Sequence, residues 1–159
     1  SGDIEMNMWL ERTYIEKGGG GNSGESYHLA WYFADMHTIT DHFEKRGKKG
    51  HLITIGDEPV LPELPPTFKG FNLASQTTRT ASELAKAAAK KWHLTHIHLD
   101  HNHWTRTNIA EYIGNENVIT TTDHKTIPHL ITEVILKGEG WTTDPVNKPD
   151  LNSGKPEIL

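Results

Sequence analysis

The order of elements along the chain predicts an α/β fold: an open, mainly parallel sheet with helices on both faces. Three observations carry this expectation. Short apolar runs such as His51-Leu52-Ile53-Thr54-Ile55 and Trp92 to Leu99 have the length and alternation of strands. Stretches with helical periodicity separate them. The resulting order of helix, helix, strand, helix, strand, helix, strand, helix demands crossover connections, which are right-handed and cover a parallel sheet on both sides.

Residues 3–17 place Ile4, Met8, Leu10 and Ile15 among charges at helical spacing, and Gly18 can stop that helix. The glycine-rich turn at 18–24 follows, where Asn22 or Ser23 can cap a helix over 25–44. Leu29, Tyr32, Phe33, Met36 and Ile39 or Phe43 would be its buried stripe. His37 and Asp41 would share one face of the same helix, a spacing common on solvated helix faces. Lys45-Arg46-Gly47-Lys48-Lys49-Gly50 reads as a solvated basic turn, and residues 51–55 as a short buried strand leaving through the polar turn Gly56-Asp57-Glu58-Pro59.

Prolines at 59, 62, 65 and 66 make 59–79 a loop. Thr80 or Ser82 then starts an alanine-rich helix reaching Lys91, because alanine carries the highest helix propensity and threonine or serine the right cap chemistry. Residues 92–99 alternate as a strand, 104–113 suggest a short helix and 117–121 a third strand. Ile127 to Lys137 forms the last helix, with Pro128 tolerated in its first turn. The reading is one domain over 1–137 and an extended tail over 138–159, rich in Pro, Asn, Asp and Gly.

Composition narrows the function. The 159 residues carry 16 basic and 21 acidic side chains, a net charge of −5, so a broad basic footprint for nucleic acid is lacking. There is no cysteine, which removes disulfides, thiolate metal sites and cysteine nucleophiles and leaves a cytoplasmic home as the expectation. No apolar run is long enough to span a bilayer, so no membrane partner is expected. No nucleophile elbow, phosphate-binding loop or dinucleotide fingerprint occurs.

Gly19-Gly20-Gly21-Asn22-Ser23-Gly24-Glu25-Ser26-Tyr27-His28-Leu29-Ala30, followed by Leu52-Ile53-Thr54-Ile55-Gly56-Asp57-Glu58, resembles the later part of a von Willebrand factor A (VWA) domain of the bacterial or phage type. The resemblance implies a Rossmann-like three-layer fold whose first strands would lie upstream of Ser1. It also implies a protein-binding role, with an adhesion-type Mg2+ site at the carboxyl ends of the strands. Asp57 matches the family's later aspartate ligand, Gly21 stands at the threonine position, and the first-strand Asp-x-Ser-x-Ser is not in the chain. Asn22, Ser23, Asp57 and Glu58 are the candidate partner-contact residues, on a face formed by loops 18–24, 56–60 and 100–104.

Five of the eleven histidines fall between His93 and His103. His96-Ile97-His98-Leu99-Asp100-His101 matches the His-x-His-x-Asp-His signature of metallo-β-lactamase-fold hydrolases. That resemblance implies Zn2+ held by His96, His98, Asp100 and His101, with water activated on the metal. The plainer alternative places His96 and His98 as polar residues on one face of a strand at a sheet edge or interface, with His101 and His103 solvated. The reading favoured is a VWA-like protein-binding domain rather than an enzyme, within a homo- or hetero-oligomer. A metal-dependent hydrolase and a purely structural subunit of an assembly are the alternatives.

Overall fold

A computed structural model describes residues 8, 11–12, 24–68, 71–72, 77–99 and 103–141. Most of the predicted helix over 3–17, Asn22 and Ser23, Asp100 and His101, and most of the predicted tail therefore lie outside the described residues. The frame is a parallel sheet of three strands. β1 (Gly50–Gly56) and β7 (Val118–Thr120) flank the central β6 (Trp92–His98), giving the order β1-β6-β7. Between β1 and β6 lie four two-residue strands, β2 (Glu63–Leu64), β3 (Thr67–Phe68), β4 (Phe71–Asn72) and β5 (Arg79–Thr80), which pair as β2-β5 and β3-β4. The predicted loop over 59–79 thus gains small antiparallel ladders, since its prolines leave room only for short pairings.

The helix expected over 25–44 is two helices, α1 (Tyr27–Met36) and α2 (Asp41–Arg46). The break has a local cause. The Thr38-Ile39-Thr40 run is β-branched, and Thr40 takes an extended backbone so that its hydroxyl caps Phe43 N–H at 3.4 Å. Thr38 Oγ1 meanwhile donates back to the Phe33 carbonyl at 3.3 Å, closing the end of α1. His37 therefore ends one helix while Asp41 begins the next, and the two share no helix face. Asp41 instead pairs with exposed Lys45 at 2.6 Å.

The buried stripe of α1 is also rotated from the expectation. His28, Trp31, Tyr32 and Ala34 are buried, whereas Phe33, Met36 and Ile39 are exposed. The helix turns Trp31 and Tyr32 toward α3 (Ala81–Ala88), with which it makes its most extensive contact. That helix starts as its sequence indicates. The Thr80 hydroxyl accepts from Glu83 N–H at 3.2 Å, and the Glu83 carboxylate accepts from Thr80 N–H at 2.9 Å, a reciprocal capping box. α4 (His103–Ile113) and α5 (Ile127–Gly138) complete the set.

Helices cover both faces of the sheet. On one, α1, α3 and α4 enclose Trp31, Leu84, Leu94, Ile109 and Val118 in a single core cluster. Trp92, on the same face, donates its indole N–H to the Ala34 carbonyl at 3.2 Å, tying β6 to α1. α5 lies on the other face, over His51, Thr95 and Ile119. Among the described residues no helix is long and apolar enough to cross a membrane.

Candidate functional site

In an open parallel sheet the strand carboxyl ends are where loops can converge, because every crossover returns to the opposite end. Here Gly56 ends β1, His98 ends β6 and Thr120 ends β7. The ladder extends one residue further, through Leu99 N–H to Gly56 O and Thr121 N–H to His98 O, each at 2.9 Å. The turn after β1 is firmly held. Glu25 N–H donates to Pro59 O at 2.7 Å and Leu61 N–H to Glu25 O at 3.1 Å, while Val60 N–H reaches Asn108 Oδ1 on α4 at 2.9 Å. Asp57 and Glu58 are exposed on this turn, and Glu25 is exposed beside it.

Beneath the turn lies a buried polar layer. Tyr27, in the first turn of α1, places its hydroxyl directly over Gly56, where any Cβ would collide with it, so glycine is required there. Its ring meets His96 edge-on at 4.8 Å between centroids. Burial raises the Tyr27 pKa above its usual value, and the Glu25 and Asp57 carboxylates push it the same way. The hydroxyl thus stays protonated, buried beneath an acidic rim.

His96 and His98 both point into this layer from alternate positions of β6, as residues two apart on a strand must. The expectation that they share a face holds, but the strand is central rather than at an edge. Both imidazoles are 0 % exposed. The Thr54 hydroxyl lies 2.9 Å from His96 Nδ1, and the Thr105 hydroxyl 3.0 Å from His98 Nε2. Burial, with the neighbouring His98 second, pulls the His96 pKa down to about 4. At neutral pH His96 is therefore uncharged, and its Nε2 is buried without a hydrogen-bond partner among the described residues.

The donor set does not assemble a metal centre among the described residues. No group of three or more His, Asp or Glu side chains there could hold a metal ion. For Mg2+, Asp57 is the described match to the family pattern. For Zn2+, His96 and His98 each have one ring nitrogen on a threonine hydroxyl, and the remaining implied ligands, Asp100 and His101, are not described.

Sequence reasoning missed Glu25, Tyr27, Thr54, Thr105 and Asn108, which come from β1, α1, α4 and the loop before α1. Their contribution depends on which loops meet, which a local pattern does not specify. Trp104, three residues beyond the hydrolase-like motif, is a further such residue. It stands 66 % exposed in the first turn of α4, the helix that leads away from the β6 carboxyl end. The site therefore offers exposed carboxylates, a protonated tyrosine below them and an exposed indole near the same end of the sheet. No protein-family model matches the chain, and no curated protein or solved structure is significantly similar to it.

Proposed function

We propose that the chain is a VWA-like protein-binding domain that engages its partner with the carboxyl-end face of its sheet. The observation carrying this reading is the held acidic turn. Asp57 and Glu58 project from a segment held before them by Gly56, whose carbonyl accepts from Leu99 N–H, and after them by the Glu25 and Asn108 hydrogen bonds to Pro59, Val60 and Leu61, so their carboxylates are presented with little ordering left to lose on binding. Of the stretches that resemble the family, the described residues 24–30 and the strand leading into Asp57-Glu58 meet at this end of the sheet, where Glu25 pairs with Pro59 and Leu61.

The chemistry suits a basic protein surface. Exposed carboxylate pairs with lysine contribute only about 0.2–1 kcal/mol each, and bidentate arginine pairing contributes more. Trp104 supplies apolar area of the kind that dominates interface energetics. Carboxylates steer and orient the partner, and the indole adds contact energy.

Site-specific photo-crosslinking tests this. A photoreactive side chain at Glu58 or Trp104 is expected to capture one discrete protein from native extract, and the same group at Glu44 on α2 is expected not to. Capture should fall about tenfold in Asp57→Ala/Glu58→Ala, consistent with loss of two charge contacts. Identical patterns from Glu58 and Glu44, or capture unchanged by the double substitution, would sink the reading. Zinc or iron retained at one or more ions per chain, lost on His96→Ala, would instead support the hydrolase reading.

A further inference from the structure

The amino ends of β1 and β6 lie at the opposite end of the sheet from Asp57 and Glu58, and cations collect there. A cleft of about 440 Å3 runs along α3 between Arg79, Lys86 and Lys90. Lys86 also borders a second cleft of about 240 Å3, together with Lys49. Lys49 and His93 continue into a third with Lys48, and His93 and Gly138 lead on to the cleft beside α5 that Lys137 lines. Shared lining residues join the four into one belt that runs along α3 from Arg79 to Lys90 and on across the amino end.

The belt carries six Lys and Arg side chains against three carboxylates, Glu83, Glu116 and Glu139. This local surplus opposes the whole chain's net charge of −5. All three carboxylates are already engaged, Glu83 in the Thr80 capping box, Glu139 with His51 Nε2 at 3.2 Å and Glu116 as acceptor from Asn117 Nδ2 at 3.3 Å. Lys48, Lys86, Lys90 and Lys137 are exposed. Lys48 and Lys49, in a stretch that alone reads as a solvated turn, thus join cations along α3 and Lys137 of α5.

We propose that this belt is a second interaction surface, which takes an acidic segment of a partner protein. An anionic partner follows from the charge. A protein segment is favoured over nucleic acid by the clefts themselves: their walls include Ala87, Ala89, Tyr112 and Ile113, which accept aliphatic side chains, while the interspersed carboxylates repel a continuous phosphate backbone. Trp92, the indole in the belt, spends its N–H on Ala34 and lays its ring against Gly50, so it is no platform for stacking bases.

The test is fluorescence anisotropy of a labelled glutamate–alanine peptide titrated with the full chain in low salt. Saturable binding is expected, weakening about tenfold as ionic strength rises through the physiological range. Lys48→Glu/Lys86→Glu should weaken it by a further factor of about ten, whereas Lys125→Glu, near the carboxyl end of β7, should leave it unchanged. Should the first pair fail to fold by circular dichroism, Lys90→Glu/Lys137→Glu reports on the same belt. No binding in low salt, an equal loss in Lys125→Glu, or tighter binding of an oligouridylate than of the peptide would overturn the proposal.

Discussion

The two faces of the sheet are built differently. Under α1, α3 and α4, the side chains of Trp31, Tyr32, Leu84, Leu94 and Ile109 are buried in one cluster, together with His28, His96 and His98. Under α5, the strand residues Thr95 and Ile97 are buried, yet no residue of α5 itself is. Fully burying a large apolar side chain stabilises a fold by about 1.5–3 kcal/mol, so the first face holds most of the stability and the second is held by half-buried contacts. The difference teaches that the face supporting the candidate site is also the rigid one, which suits a pre-organised surface.

Deleting a core side chain should separate the faces most clearly. Trp31→Ala is expected to cost about 3–5 kcal/mol, and Val134→Ala on α5 less than about 1 kcal/mol, by urea unfolding at neutral pH. Similar losses at the two positions would break the comparison.

Acid should act next most strongly, and on the packed face first. His96 titrates near 4 in the fold, against 6.5 unperturbed. The unfolded chain therefore binds this proton more readily, so the contribution is fully present above about pH 6.5 and is lost as pH falls toward 4, on the order of 3 kcal/mol in total. Burial lowers the His28 and His93 pKa values in the same direction. Unfolding midpoints measured across that window should fall, and His96→Gln should flatten the slope by about one proton. A slope unchanged by that substitution would show that His96 is not the group responsible.

The smallest effect probes the α5 face at its one close approach. A Cβ at Gly138 would collide with the His51 ring, which stacks on His93 at 5.3 Å and holds Glu139 at 3.2 Å. Gly138→Ala is expected to cost about 1 kcal/mol, because the loosely held end of α5 can lift, and to accelerate amide exchange in α5 without changing that of α1. Equal acceleration in both helices would mean the faces are coupled rather than independent.

Much of the architecture was legible because its signals are local. The strands 51–55 and 92–99 follow from apolar alternation, and the start of α3 falls at Thr80, one of the two cap positions the sequence offers with Ser82. The single helix expected over 25–44 failed for a reason also present locally: the β-branched run at 38–40 offers hydroxyl hydrogen bonds that compete with the helix. The choice of Trp31 over Phe33 as the buried residue of α1 was not local, since it depends on where α3 packs.

The sequence by itself determined the α/β class, the parallel order and the acidic turn at Asp57 and Glu58, because periodicity, cap chemistry and turn residues act over a few positions. Only the tertiary structure decided that His96 and His98 lie in the central strand under threonine hydroxyls and Tyr27. It alone also joined Lys48 and Lys49 with the cations along α3 and Lys137 of α5. Burial and charge clustering are properties of which segments meet, and chain folding brings together residues such as Thr54 and His96, or Lys49 and Ala89, that stand dozens of positions apart.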